Sequence, residues 1–131
     1  MARHAPISSE TDWIATAIVD CAFRVHSELG PGLLESVYEA CLVHELAKRN
    51  LKVTRQISLP VMYDGVRLDA GLRLDLVVED QVIVELKAVA AMNPIYEAQL
   101  LTYLRLSGKR LGLLINFNVV RIKDGIKRVA L

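Results

Sequence analysis

The chain has 131 residues, 53% of them hydrophobic and 24% charged, with 7 Gly and 4 Pro. A chain of this size buries about 70% of its unfolded surface around one core, so the composition excludes a disordered or low-complexity protein and reads as a single domain over residues 1–131. The net charge of +1 conceals a division: residues 1–104 carry 9 basic and 14 acidic side chains, a net of −5, whereas residues 105–131 carry seven basic side chains against Asp124 alone, a net of +6.

Met1 to Thr11 contains Arg3 with no apolar stretch behind it, and no window reaches 18 apolar residues. Neither a targeting segment nor a membrane span is expected, which implies a soluble, cytoplasmic protein. From Ser9 to Leu29, Ile14, Ile18, Cys21, Val25 and Leu29 form a helical stripe that ends at Gly30-Pro31-Gly32. A second helix is expected from about Leu33 to Arg49, with Leu34, Val37, Tyr38, Cys41, Leu42 and Leu46 on one face. Cys21 and Cys41 lie in these helical patterns without a CxxC or a histidine at ligand spacing, so both read as buried small hydrophobes.

After Asn50 the period changes to that of a strand through Tyr63, and Asp64-Gly65 signals a turn. Leu72, Leu74, Leu76 and Val78 then alternate with Arg73, Asp75, Val77 and Glu79, and Val82, Val84 and Leu86 alternate with Ile83, Glu85 and Lys87. Pro94 opens a third helix through Ser107, with Ala98, Leu101, Leu104 and Ile95 facing inward, and Gly108 stops it. Leu111–Phe117 and Val119–Ile122 read as strands, and Asp124-Gly125 turns the chain into a last strand, Ile126–Ala130. The order is ααβββαββ, helices packed on a sheet.

The hairpin around Glu79 to Gln81 carries the first chemical signal. Leu76 and Val78 must share a face with Val82, Val84 and Leu86, so an odd-length turn or a bulge near Asp80 is required. That register sets Asp75 opposite Glu85 and Arg73 opposite Lys87, on the face away from those leucines and valines. Facing carboxylates repel, and Mg²⁺ is the direct compensation because it favours carboxylates and water. Lys87, on the same face, is placed to orient an attacking water or to stabilise phosphate charge. The alternative is an ordinary surface ladder of Asp, Glu and Lys. Glu35, three residues before Tyr38, borders the second helix's apolar stripe, although a carboxylate there also complements the helix dipole. Gln99 and Tyr103 form an i, i+4 pair on the third helix, and a polar flank is their plainer role.

Gly32-Leu33-Leu34-Glu35-Ser36-Val37-Tyr38 matches a G-x-x-E-x-x-Y signature, and the chain resembles the GxxExxY proteins. The resemblance continues through Val25-His26, Leu29 to Gly32, Asp75, Glu85-Leu86-Lys87, Gln99 to Tyr103 and Leu114 to Phe117, from about Thr11 to Arg128. That family resembles a compact branch of the PD-(D/E)XK nuclease-like superfamily. The resemblance implies an α/β, restriction-endonuclease-like core (αβββαβ) with an N-terminal helical hairpin. It makes Glu35 the helical acid, Asp75 the second-strand acid, Glu85 and Lys87 the E-x-K, and Gln99 with Tyr103 the Q-x-x-x-Y of RecB-like nucleases. Leu74 stands where the superfamily name shows proline, as is common in RecB-like branches.

The expected function is hydrolysis of phosphodiester bonds in nucleic acid, DNA foremost, with Mg²⁺ or Mn²⁺ as cofactor. Glu35, Asp75, Glu85 and the Leu86 carbonyl would hold metal, Lys87 would serve the water, and Gln99 and Tyr103 would support the substrate backbone or Lys87. Lys109 and Arg110, from the +6 segment, would flank the cleft and bind phosphate. The competing reading is a noncatalytic nuclease-fold module for binding nucleic acid or a protein partner, as a homodimer or within a larger assembly.

Overall fold

The structure is a computed structural model that describes residues 5–131; Arg3 and the rest of the first four residues lie outside it. Helix α1 spans Ser9–Leu29, α2 Glu35–Lys48 and α3 Pro94–Ser107; strands β1 to β5 span Val53–Tyr63, Val66–Val78, Val82–Lys87, Leu111–Asn116 and Ile126–Ala130. The strands form one mixed sheet in the order β1-β2-β3-β4-β5. Only β3 and β4 run parallel, joined by the α3 crossover, and the other neighbours are antiparallel. This is the α/β order ααβββαββ of a restriction-endonuclease-like core behind a helical hairpin. No helix among the described residues is long and apolar enough to cross a membrane.

Ser8 caps α1 by accepting the Thr11 N–H at 3.1 Å, and Gly30 (φ 66°) ends it. Ile14, Ile18, Cys21 and Val25 are buried as their spacing requires, but Leu29 is exposed. The expected face of α2 holds at Tyr38, Leu42 and Leu46 and is corrected at Leu34, Val37 and Cys41. Tyr38, Glu39, Leu42, Glu45 and Leu46 turn inward, while Leu34 is the N-cap residue, 73% exposed, and Val37 is exposed. Apolar spacing alone rotates the face towards Leu34 and Val37 because it scores Glu39 and Glu45 as outward. Here Glu39 faces Arg55, and Glu45 faces Arg24 and Lys48, so both carboxylates are neutralised on the inner side. Cys21 is buried and Cys41 half-buried, both as free thiols.

Asp64 and Gly65, with φ 53° and 72°, form the two-residue turn between β1 and β2. Beyond it β2 begins at Val66, six residues before the alternating run legible from Leu72. The turn from β2 to β3 is the odd-length loop Glu79-Asp80-Gln81, and the register Leu76↔Val84 and Val78↔Val82 is the one that apolar parity demands. Leu76, Val78, Val82, Val84 and Leu86 pack beneath α1 and α2. Leu72 and Leu74, expected on that same face, instead join Val77, Ile83, Leu100 and Leu104 beneath α3. The alternation of β2 therefore switches faces between Leu74 and Leu76, at Asp75.

Asn93 caps α3 by accepting the Ile95 N–H at 3.0 Å, and Gly108 (φ 73°) ends the helix. Its buried face is Leu100, Tyr103 and Leu104; Ala98 and Ile95 are exposed and Leu101 is half-buried, which corrects the expected inward set. Gly112 on β4 decides this, because a Cβ there would lie 2.9 Å from Leu100 Cδ1, so α3 seats Leu100 on bare backbone. Val119–Ile122 is not a strand: the chain bends and enters a short 3-10 turn, Ile122–Gly125. A Cβ on Gly125 would stand 2.1 Å from the Asn116 backbone oxygen. Gly125→Ala is therefore expected to cost at least about 2 kcal/mol, read as a fall in Tm of about 6 °C or more in thermal unfolding.

Candidate active site

The site forms where β2 and β3 part. Their ladder stops at Leu76↔Val84, so Arg73 and Lys87 do not pair as expected, and Arg73 lies opposite Ser58 on β1. One step beyond the ladder, side chains take over from backbone. The Asp75 N–H donates to Glu85 Oε1 at 3.1 Å, and the Leu86 N–H donates to Asp75 Oδ2 at 2.9 Å. Each carboxylate thus satisfies an amide that the parting of the strands leaves without a backbone partner. Asp75 and Glu85 are cross-strand neighbours whose side chains meet, which is the arrangement the hairpin parity implies.

Glu85 is 7% exposed. Burial, then the charge of Asp75 beside it, pushes its carboxyl up to about 8, and Lys87 offsets this only in part. Glu85 is thus poised to hold a proton, or to share a cation with Asp75 beside it.

Glu35 opens α2 and lines a cleft of about 290 Å³ together with Lys87, Leu33, Leu34, Val89 and Tyr96. Partial burial raises its carboxyl above the ordinary range; the charges of Asp75 and Glu39 raise it further and Lys87 lowers it. Its position comes from the preceding loop. The Tyr38 hydroxyl donates to the Gly30 carbonyl at 2.6 Å and accepts the Leu33 N–H at 3.1 Å, while its ring stacks on Phe117 at 4.6 Å. Gly32, at φ 97°, is the residue that can make that tight return. The Gly, Glu and Tyr of the motif are thus one device that aims Glu35 at the cleft. Glu35 nevertheless stands apart from the carboxylate pair, and no three His, Cys, Asp or Glu side chains among the described residues converge closely enough to hold a metal ion.

Lys87 Nζ lies 4.4 Å from the centre of the Tyr96 ring, a contact that fixes the ammonium at the cleft. The chain after Lys87 is pinned by Asn116. Asn116 Oδ1 accepts the Val89 N–H at 3.1 Å, its Nδ2 donates to the Val89 carbonyl at 3.0 Å, and the Phe117 N–H donates to the Lys87 carbonyl at 3.0 Å. Tyr96 and Asn116 escaped sequence reasoning; an asparagine ending an apolar strand, Leu111–Asn116, was the available signal. Tyr103 is buried beneath α3 rather than among the residues that line this cleft. Burial and the charges of Glu85 and Asp75 raise its phenol, with Gln99 beside it opposing the shift.

Lys109 and Arg110 are not at this cleft, which corrects their expected position. Lys109 Nζ binds the Asp80 carboxylate at 3.0 Å at the β2–β3 turn, and Arg110 Nε donates to the Leu131 carbonyl at 3.0 Å. They adjoin the start of β4, which pairs with Val82, whereas the cleft adjoins Lys87 and Asn116 at its end. The separation is about 16 Å at the rise of a strand. Helix α3 runs back along the sheet, so its Gly108 end points away from the site. Three basic side chains of the +6 segment are paired with acids elsewhere in the chain: Lys109 with Asp80, Lys127 with Glu97 and Arg128 with Asp12.

Glu85 gives a sign for stability against pH. Its native carboxyl holds its proton up to about 8, against 4.5 ordinarily, so the native state binds more protons than the unfolded state between those values. Stability from this group is complete below 4.5 and declines as pH rises towards 8. Metal-free protein is expected to lose about 4 °C or more in Tm from pH 5 to pH 8, and Glu85→Gln is expected to remove most of that slope in thermal scans.

Residues 12–129 match the family model described as the PD-(D/E)XK nuclease superfamily. Among solved structures, the chain is similar to an alkaline exonuclease (LHK-Exo) from Laribacter hongkongensis. The TM-score is 0.45 at 14% identity, with 91% of this chain and 81% of that chain covered. No curated protein matches the chain. With nearly its whole length, including Glu35, Asp75, Glu85 and Lys87, inside the family match, the chain belongs to the PD-(D/E)XK nuclease superfamily.

Proposed function

We propose that the protein is a metal-dependent nuclease that hydrolyses phosphodiester bonds, with DNA as the substrate tested first. The observation that carries this reading is the Asp75–Glu85 pair, two coupled carboxylates locked to each other's strand and short of positive charge, with Lys87 two residues along. The donor set fits Mg²⁺ or Mn²⁺: hard oxygens from Asp75, Glu85 and the Leu86 carbonyl, with Glu35, which lines the cleft beside Lys87, acting through bound water. A bound divalent ion would supply Lewis acidity and a more acidic water. Lys87, steadied by Tyr96, orients the attacking water and faces the phosphate. Tyr103 and Gln99 support the substrate backbone from α3. The assignment to the GxxExxY branch, a cytoplasmic location and action as a homodimer or within a larger assembly belong to the same proposal.

A second reading is a noncatalytic binding module, favoured by the position of Glu35 outside the carboxylate pair. Cleavage assays separate the two. Single- and double-stranded DNA and RNA are incubated with Mg²⁺ or Mn²⁺, with Lys87→Ala and Glu85→Gln alongside. Wild-type cleavage that falls at least about 100-fold in either variant supports the nuclease. Binding to the same substrates with no cleavage in either metal leaves the module.

A second outcome is read without turnover. Because an ion satisfies the charge the pair lacks, 5 mM Mg²⁺ is expected to raise Tm at pH 8 by about 4 °C or more. The rise is expected to be smaller at pH 5, where Glu85 holds its proton in the metal-free protein.

A further inference from the structure

Helix α2 carries a second glutamate, Glu39, one turn beyond Glu35, and the function proposed above gives it no part. Its carboxylate is buried, 8% exposed, and fully engaged with β1. Oε2 accepts from Arg55 Nη2 at 2.8 Å and Nε at 3.2 Å, and Oε1 accepts from Gln56 Nε2 at 2.8 Å. Gln56 has a left-handed backbone, φ 48°, which a residue with a side chain adopts only when its surroundings hold it there.

The position of Gln56 gives this conformation its meaning. The β1–β2 register runs Val53↔Val78, Thr54↔Val77, Arg55↔Leu76, then Ile57↔Leu74, Ser58↔Arg73 and Leu59↔Leu72. The single pair missing from that run is Gln56 with Asp75. Where Gln56 leaves the ladder, the Asp75 N–H turns instead to Glu85 Oε1, and the core side chains of β2 switch from one face to the other. The register is the same on either side of this gap, so the break takes one residue out of each strand without adding one to either.

We infer that Glu39 is a positioning residue: through Arg55 and Gln56 it holds a break in the β1–β2 ladder opposite Asp75, and that break frees Asp75 to lock with Glu85. Loss of the Glu39 carboxylate lets Gln56 relax to an extended conformation and pair with Asp75, and the Asp75–Leu86 contact is then lost. Glycine at position 56 holds a left-handed backbone without help, so it bypasses the need for Glu39. A residue that merely stabilised the fold would show no such bypass.

Native-state amide exchange by NMR on metal-free protein tests this, reading the Leu86 N–H that donates to Asp75 Oδ2. Glu39→Leu is expected to lower its protection about tenfold or more, and Glu39→Leu with Gln56→Gly to restore it to within about threefold. Glu45→Leu removes the other buried glutamate of α2 and is expected to leave Leu86 unchanged. Arg55→Met makes a milder cut at a half-exposed side chain, and its loss of Leu86 protection is expected to be reversed by Gln56→Gly in the same way, so the test holds if Glu39→Leu fails to fold. Unchanged protection in both Glu39→Leu and Arg55→Met, an equal loss in Glu45→Leu, or no recovery with Gln56→Gly overturns the inference. Only the metal consequence rests on the nuclease reading: Ca²⁺ affinity should fall about tenfold in Glu39→Leu and recover in the double variant. Wild-type protein that binds no Ca²⁺ sinks the nuclease reading, while the exchange result still decides the role of Glu39.

Discussion

Everything at the site follows from two amides that the sheet leaves without backbone partners. Where β2 and β3 part, the Asp75 and Leu86 N–H groups would be costly to bury unpaired, and carboxylates from the opposite strand satisfy them. Those bonds fix the separation of the strands and, in the same act, hold two acids against each other with too little positive charge nearby. The fold and the chemistry therefore share one constraint. Burial and the charge of Asp75 raise the Glu85 carboxyl to about 8, so the contact that closes the strands also favours a proton or a cation at Glu85.

The surrounding elements serve that constraint from three directions. Tyr38 folds the Gly30–Leu33 loop over itself and brings Glu35 to the cleft from α2. Asn116 pins the chain beyond Lys87 from β4, and Tyr96 at the start of α3 steadies the ammonium. On the far side, Glu39 grips β1 at the place where the ladder is broken. The Asn116 and Glu39 contacts join residues distant in sequence, whereas those of Tyr38 and Tyr96 are more local.

Much of this was legible in the sequence, for a physical reason. Side chains alternate strictly along strands, so the parity of Leu76, Val78, Val82 and Val84 fixed the register of the hairpin, and the register brought Asp75 to Glu85. Helices are less determined. Apolar spacing finds Tyr38, Leu42, Leu46 and Leu104 but not the full inner faces of α2 and α3, because Glu39 and Glu45 are buried through cations on other elements and the bare backbone of Gly112 accepts Leu100. The strand alternation also failed at Asp75, since nothing local marks Gln56 as left-handed; its partner Glu39 is a helix away. Lys109 and Arg110 looked available by charge alone, but Asp80 and the Leu131 carbonyl claim them at the other end of the sheet.

Glu85, raised to about 8, carries a proton at pH 7 that a divalent cation has to displace. Titration calorimetry with Ca²⁺ at pH 7, repeated in buffers of different ionisation enthalpy, counts that proton directly. Release of about one proton per ion bound, largely abolished in Glu85→Gln, is the predicted result. Ca²⁺ binding with no proton released, or with the same release from Glu85→Gln, would contradict it.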